Sequence, residues 1–168
     1  ALPISITDAN EVPVQAPNDS DADANTVSED AIAGDSAHIT AVSTDADITD
    51  TISYSITDQS CTGAFAIDSS SGAVTVADTS AIDYETATSC TVTVMATSSD
   101  SSTANTTFTV TITDVDEFDV GEVTDTDSDA NTLAEDVSNG ASAEITAFAS
   151  DADGTTNTVT YAITAQSC

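Results

Sequence analysis

The chain has no lysine and no arginine in 168 residues. That absence excludes nucleic acid as a partner, because binding phosphate requires cationic side chains. It equally excludes electrostatic attachment to anionic lipid. It also removes the side chains that clamp phosphates or oxyanions in many enzymes. Tryptophan is absent and aromatic residues are 4% of the chain, which argues against a carbohydrate-binding module, whose sugar platforms usually need Trp or Tyr. No apolar run approaches the ~18 residues that span a bilayer, so no membrane insertion is expected. No secretory leader is visible, which fits a mature chain or an excerpt. There is one histidine, and no glycine-rich phosphate loop.

Against these absences stand 30 Asp and Glu residues and a net charge of −30. Repulsion among that many carboxylates opposes a compact state. Cations from solution must take the role that Lys and Arg normally fill. Solubility in a salty medium is the competing explanation. Disorder is excluded by the 39% hydrophobic content, which falls in short alternating runs. Ser and Thr number 52, a composition that suits strands of an extracellular β-protein.

The chain repeats itself. ISITDANE (4–11) matches VTITDVDE (110–117). The segment 21–47, which opens DADANTVSED and closes STDAD, matches 127–153. TISYSITDQSC (51–61) matches TVTYAITAQSC (158–168). The offset is 106 residues through the D-A-D segments and 107 afterwards, a domain-sized period. The expected organisation is the last strand and linker of a preceding repeat (1–15), a complete repeat (16–119) and the amino-terminal half of the next (120–168). A half-sandwich leaves apolar faces wet, so the chain reads as an excerpt of a longer tandem array.

Within 16–119, alternation predicts strands at 25–29, 37–43, 50–57, 64–68, 73–77, 90–97 and 105–113. Seven short strands in about 100 residues predict an all-β fold, an antiparallel Greek-key seven-stranded β-sandwich of cadherin or immunoglobulin type. Inward candidates are Ile39, Ile52, Tyr54, Ile56, Phe65, Ile67, Val74, Val76, Val92, Val94, Phe108, Val110 and Ile112.

SEDAIAG, DAD followed by TISYSI, GAFAIDSSSGAVTVAD, IDYET, TVTVMATS and FTVTITDVDE occur in this order. In that order they resemble a cadherin repeat, of the variant found in tandem arrays of large bacterial surface adhesins. The resemblance covers nearly all of 16–119 and, by repetition, 120–168. It implies calcium bound at the junctions between repeats. At the junction after residue 119 the implied ligands are Glu29, Asp83, Glu85, Asp114, Asp116, Glu117, Asp151 and Asp153. At the preceding junction Asp8, Asn10 and Glu11 would meet Asp45 and Asp47. Glu135 would serve a later junction as the equivalent of Glu29. Calcium takes six to eight oxygen ligands, more than a single loop usually supplies. The pattern departs from the family at Ser98, where an Asp is usual and Asp100 could substitute. It departs again at Glu117 and Phe118, where animal cadherins carry Asp and Asn. The acidic runs 18–25 and 125–131 could hold further ions or be solvated linker.

Cys61 and Cys90 are expected to bridge in an oxidising compartment, with Cys168 the repeat equivalent of Cys61. His38, equivalent to Glu144, is expected at the surface, and no catalytic arrangement includes it. Sequons at Asn18 and Asn105 mark candidate glycosylation sites, the second expected at a hairpin tip. The leading expectation is a non-enzymatic, calcium-rigidified spacer of an extracellular or cell-surface adhesin or fibre, partnered by neighbouring repeats. The alternatives are a self-assembling, glycosylated filament with lateral self-association and, more weakly, a carbohydrate-binding module.

Overall fold

The computed structural model describes residues 12–47, 49–155 and 157–166. The chain divides into two compact units after Val115.

The first unit is two four-stranded sheets around one core. Its strands are β1 (Asn18–Asp19), β2 (Thr26–Ser28), β3 (Ser36–Val42), β4 (Ile52–Gln59), β5 (Phe65–Ile67), β6 (Ala73–Val76), β7 (Ser89–Ser98) and β8 (Thr103–Thr113). One sheet runs β1-β3-β6-β5 and the other β2-β8-β7-β4. β7 reads SCTVTVMATS, and its residues alternate between exposed or half-buried and buried. Period-two alternation puts Cys90, Val92, Val94 and Ala96 on one face, all fully buried. β8 pairs with β7 along nine residues, from Ser89↔Thr111 to Thr97↔Thr103. The 99–102 turn joins them, with Ser101 at φ +77°. The anticipated inward residues all belong to the buried cluster or pack against it. Val14, Val27, Ala37, Ala41, Ala64 and Ile82 complete the core.

Two features differ from the expectation of a purely antiparallel sandwich. The opening strand is divided: β1 pairs with β3 in one sheet, while β2 pairs with β8 in the other. The acidic run 18–25 is therefore partly strand and partly the crossing between sheets. The β2–β8 pairing is parallel, Thr26↔Thr111 to Ser28↔Thr113. A parallel pair needs a long crossover, and here the rest of the domain supplies it. Asn105 also lies within β8, opposite Met95, and not at the hairpin tip. It is exposed there, as is Asn18 in β1.

Cys61 and Cys90 form a disulfide with Cα atoms 5.5 Å apart, tying the end of β4 to the start of β7. At the 68–73 turn the Asp68 carboxylate accepts from the Ser70 and Ser71 amides at 3.0 and 2.8 Å. Gly72 closes the turn at φ +75°, and a Cβ there would overlap the Ala41 carbonyl.

The second unit is sparser. Its strands are β9 (Thr124–Asp125) and β10 (Ala147–Phe148), paired antiparallel. Among the described residues no helix is long and apolar enough to cross a membrane.

Candidate metal centres

Carboxylates repel one another, so acidic side chains that converge need a reason to do so. In the first unit three converge from distant points of the sequence. Glu29 follows β2, Glu85 sits in the turn before β7, and Asp114 follows β8. One oxygen from each lies within 4.8 Å of the others. Glu29 is 7% exposed. Its Oε2 accepts from the Tyr84 amide at 2.7 Å and its Oε1 from the Val115 amide at 2.6 Å. Two backbone hydrogen bonds therefore fix the orientation of a buried carboxylate. The parallel pairing places it, because the Glu29 amide donates to the Thr113 carbonyl as β2 ends beside β8. Asp83 stands outside this triad. Its carboxylate takes the Thr86 amide at 3.1 Å and the Thr86 hydroxyl at 2.8 Å, closing the turn that presents Glu85.

A second triad, Asp45, Asp47 and Asp50, again has its oxygens within 4.8 Å. Asp47 is 8% exposed, and its Oδ2 accepts from the Val12 amide at 3.1 Å. The Asp47 amide donates to Asp45 Oδ1 at 3.1 Å. Asp50 was absent from the sequence-based set, although the spacing D-x-D-x-x-D signals it. The Ser99 hydroxyl donates to it at 2.5 Å. Ser98 is buried, with its hydroxyl oxygen unpartnered among the described residues. Asp100 accepts from the Ser102 amide at 2.7 Å. Asp8, Asn10, Glu11 and Cys168 lie outside the described residues.

In the second unit Asp153 is 1% exposed. Its Oδ1 accepts from the Glu117 amide at 2.8 Å and the Phe118 amide at 3.2 Å. The Glu117 amide above all holds its carboxyl below the ordinary value. Asp116 is pushed the other way, chiefly by the charge of Asp153, then by burial. Asp151 and Asp119 add smaller repulsions. This is like-charge crowding with no cationic side chain to relieve it. Asp151 Oδ1 also accepts from the Asp153 amide at 3.3 Å.

Two further groups share one design. Asp21, Asp23 and His38 converge, as do their repeat equivalents Asp127, Asp129 and Glu144. His38 and Glu144 both occupy left-handed backbone, at φ +54° and +51°. His38 lies where the β3–β6 register shifts, which breaks the alternation, and its Nδ1 is 3.7 Å from Asp23 Oδ2.

A cadherin domain profile matches residues 23–113, more than half of the chain. The chain belongs to the cadherin domain family. Solved structures agree on the fold. The protocadherin GammaB4 extracellular domain is 24% identical with a TM-score of 0.69, covering 88% of this chain and 22% of that one. Mouse cadherin-23 EC22-24 is 24% identical with a TM-score of 0.63, covering 86% of this chain and 45% of that one. Drosophila N-cadherin EC1-4 is 22% identical with a TM-score of 0.61, covering 83% and 34%. The chain thus spans less than half the length of each. No curated protein matches it.

Proposed function

We propose that the chain is a calcium-rigidified spacer from the tandem array of an extracellular adhesin, of the kind carried on bacterial surfaces, and that it serves cell adhesion by giving reach. One observation carries this reading. Glu29, Glu85 and Asp114 bring three carboxylate oxygens within 4.8 Å of one another in a chain with no Lys or Arg. The donor set is all oxygen and formally trianionic, which suits a hard divalent cation and calcium before magnesium, given calcium's tolerance of irregular geometry. The linker acids Asp116 and Glu117, with Asp83, Asp151 and Asp153, are proposed to complete the coordination shell. Asp45 and Asp47, joined by Asp50, would serve the preceding junction with Asp8, Asn10 and Glu11. When bound, the ion cancels repulsion between acids on either side of the linker and stiffens it. The protein groups do the positioning: the Tyr84 and Val115 amides aim Glu29, and Thr86 holds the turn that presents Glu85.

The test is calcium titration by calorimetry, with thermal melting and small-angle scattering in calcium and in chelator. Saturable binding, a raised melting temperature and a more extended profile in calcium are expected. Identical melting and scattering in chelator would overturn the proposal and leave the acids as a solvated surface.

A further inference from the structure

The crossing from β1 to β2 meets the bulge in β3 at a group of side chains that neither carboxylate triad uses. Asp21, Asp23 and His38 each bring one ligand atom within 4.8 Å of the others. The donor set is mixed, with two carboxylates and the only imidazole in the chain. Asp19 ties the two elements together. Its Oδ1 accepts from the Asp21 amide in the crossing and from the Thr40 amide in β3, both at 3.0 Å.

Taken alone, this group has a simple explanation as an ion pair. His38 Nδ1 lies 3.7 Å from Asp23 Oδ2, and a protonated imidazole attracts both aspartates. The second unit puts that explanation to the test on the same backbone. Asp127, Asp129 and Glu144 converge within the same 4.8 Å. Glu144 shares the left-handed conformation of His38, and its amide donates to the Ser142 hydroxyl at 3.0 Å as the His38 amide donates to that of Ser36. Asp125 takes the Asp127 and Thr146 amides at 3.0 and 2.9 Å, as Asp19 does in the first unit.

The strand sequence around the bulge is SAHITA in one unit and SAEITA in the other. Only the bulge side chain has changed, from an imidazole to a carboxylate. A carboxylate cannot pair with two aspartates, and three like charges gathered in one place repel. The ion pair therefore accounts for one group and fails for the other. A metal cation accounts for both, because imidazole and carboxylate are each metal ligands.

We propose that Asp21, Asp23 and His38 form a metal site of their own, with Asp127, Asp129 and Glu144 its counterpart, and that the residue at the bulge selects the metal. One imidazole nitrogen with two carboxylates suits zinc or a similar first-row divalent ion, with a coordination position left open to water. The all-oxygen set around Glu144 suits a harder ion. None of these residues belongs to the triads proposed for calcium, so the two readings fail separately.

The sole histidine gives the only imidazole signals in an NMR spectrum of the intact chain, so its ring reports this site whether or not calcium fills the triads. Zinc is titrated in excess calcium. The His38 ring resonances should shift and saturate at one equivalent. Asp21→Asn and Asp23→Asn should each raise the zinc concentration at half-shift by about tenfold or more, the scale on which even outer-shell losses act. Asn at position 21 keeps the oxygen that takes the Asp23 amide, so the crossing stays folded. Glu144→His should add a second ring that responds to a second equivalent. Ring resonances unmoved at saturating zinc overturn the proposal. A response that survives both Asp21→Asn and Asp23→Asn reports a lone imidazole and also overturns it, as does a Glu144→His ring that ignores zinc.

Discussion

Glu29 separates two roles that one side chain can play, and a pair of substitutions resolves them. Glu29→Gln keeps one acceptor oxygen but turns the other into a donor. One of the two amides it now satisfies, Tyr84 or Val115, then faces an N–H group. An unsatisfied buried donor costs about 1–3 kcal/mol, so the calcium-free protein should lose that much stability. For a domain of about 100 residues this lowers the melting temperature by roughly 4–8 °C per kcal/mol. Glu85 is exposed, so Glu85→Gln should alter calcium-free stability by no more than about 0.5 kcal/mol. In calcium both variants should lose the same share of the calcium-dependent stabilisation. At a concentration 100 times Kd the ion stabilises the native protein by about 2.7 kcal/mol. A variant whose Kd rises about 100-fold keeps only about 0.4 kcal/mol of that. The assay is thermal melting of wild type and both variants, each in calcium and in chelator. If the calcium increment is unchanged in both variants, the triad does not hold the ion and the reasoning fails.

Three other outcomes follow from the first unit. Removing the Cys61–Cys90 bridge, by reduction or by the double substitution to Ser, should cost about 3–4 kcal/mol for a loop of 29 residues, read as a shift in denaturant midpoint. Gly72→Ala should cost at least about 2 kcal/mol, because its positive φ and the Ala41 carbonyl both oppose a side chain; thermal melting measures it. The Asp68 carboxyl lies below its ordinary value of 3.8, held there first by the Ser71 amide and then by the Ser70 amide and the Ser71 hydroxyl. Its folded form is therefore favoured above pH 3.8, and that contribution is lost as pH falls through the lower folded value. Asp68→Asn should flatten this part of the acid limb in melts between pH 5 and pH 2, and an unaltered limb would count against the turn as its source.

Alternation in the sequence was enough to place β3, β4, β6, β7 and β8, because each alternates apolar and polar residues at period two. β1 was not legible: Asn18 and Asp19 have no apolar pattern, and only pairing with β3 makes them strand. The parallel β2–β8 ladder was equally hidden, since register between segments more than 80 residues apart leaves no local trace. The bulge at His38 is intermediate. Its equivalence to Glu144 was readable, but the left-handed backbone both residues adopt was not.

The acidic sites divide along the same line. Asp45 and Asp47, or Asp151 and Asp153, are close because they are two apart, and the Asx-type bonds between them are local. Glu29, Glu85 and Asp114 are close only because β2 ends beside β8, which brings residue 29 to residue 115. Motif order could suggest that convergence but not which oxygen meets which. The resemblance also grouped Asp83 with Glu85, and here the Asp83 carboxylate holds Thr86 in the turn that presents Glu85. The second unit shows the dependence in reverse. It keeps its two-residue Asp spacings and its short β9–β10 pair, and Glu135, the repeat equivalent of Glu29, is exposed. The buried carboxylate of the first unit is thus a product of the completed sandwich. Any metal centre built on such a residue inherits the stability of the core that buries it, and core substitutions at Val110 or Ile112 should weaken calcium binding without touching a ligand.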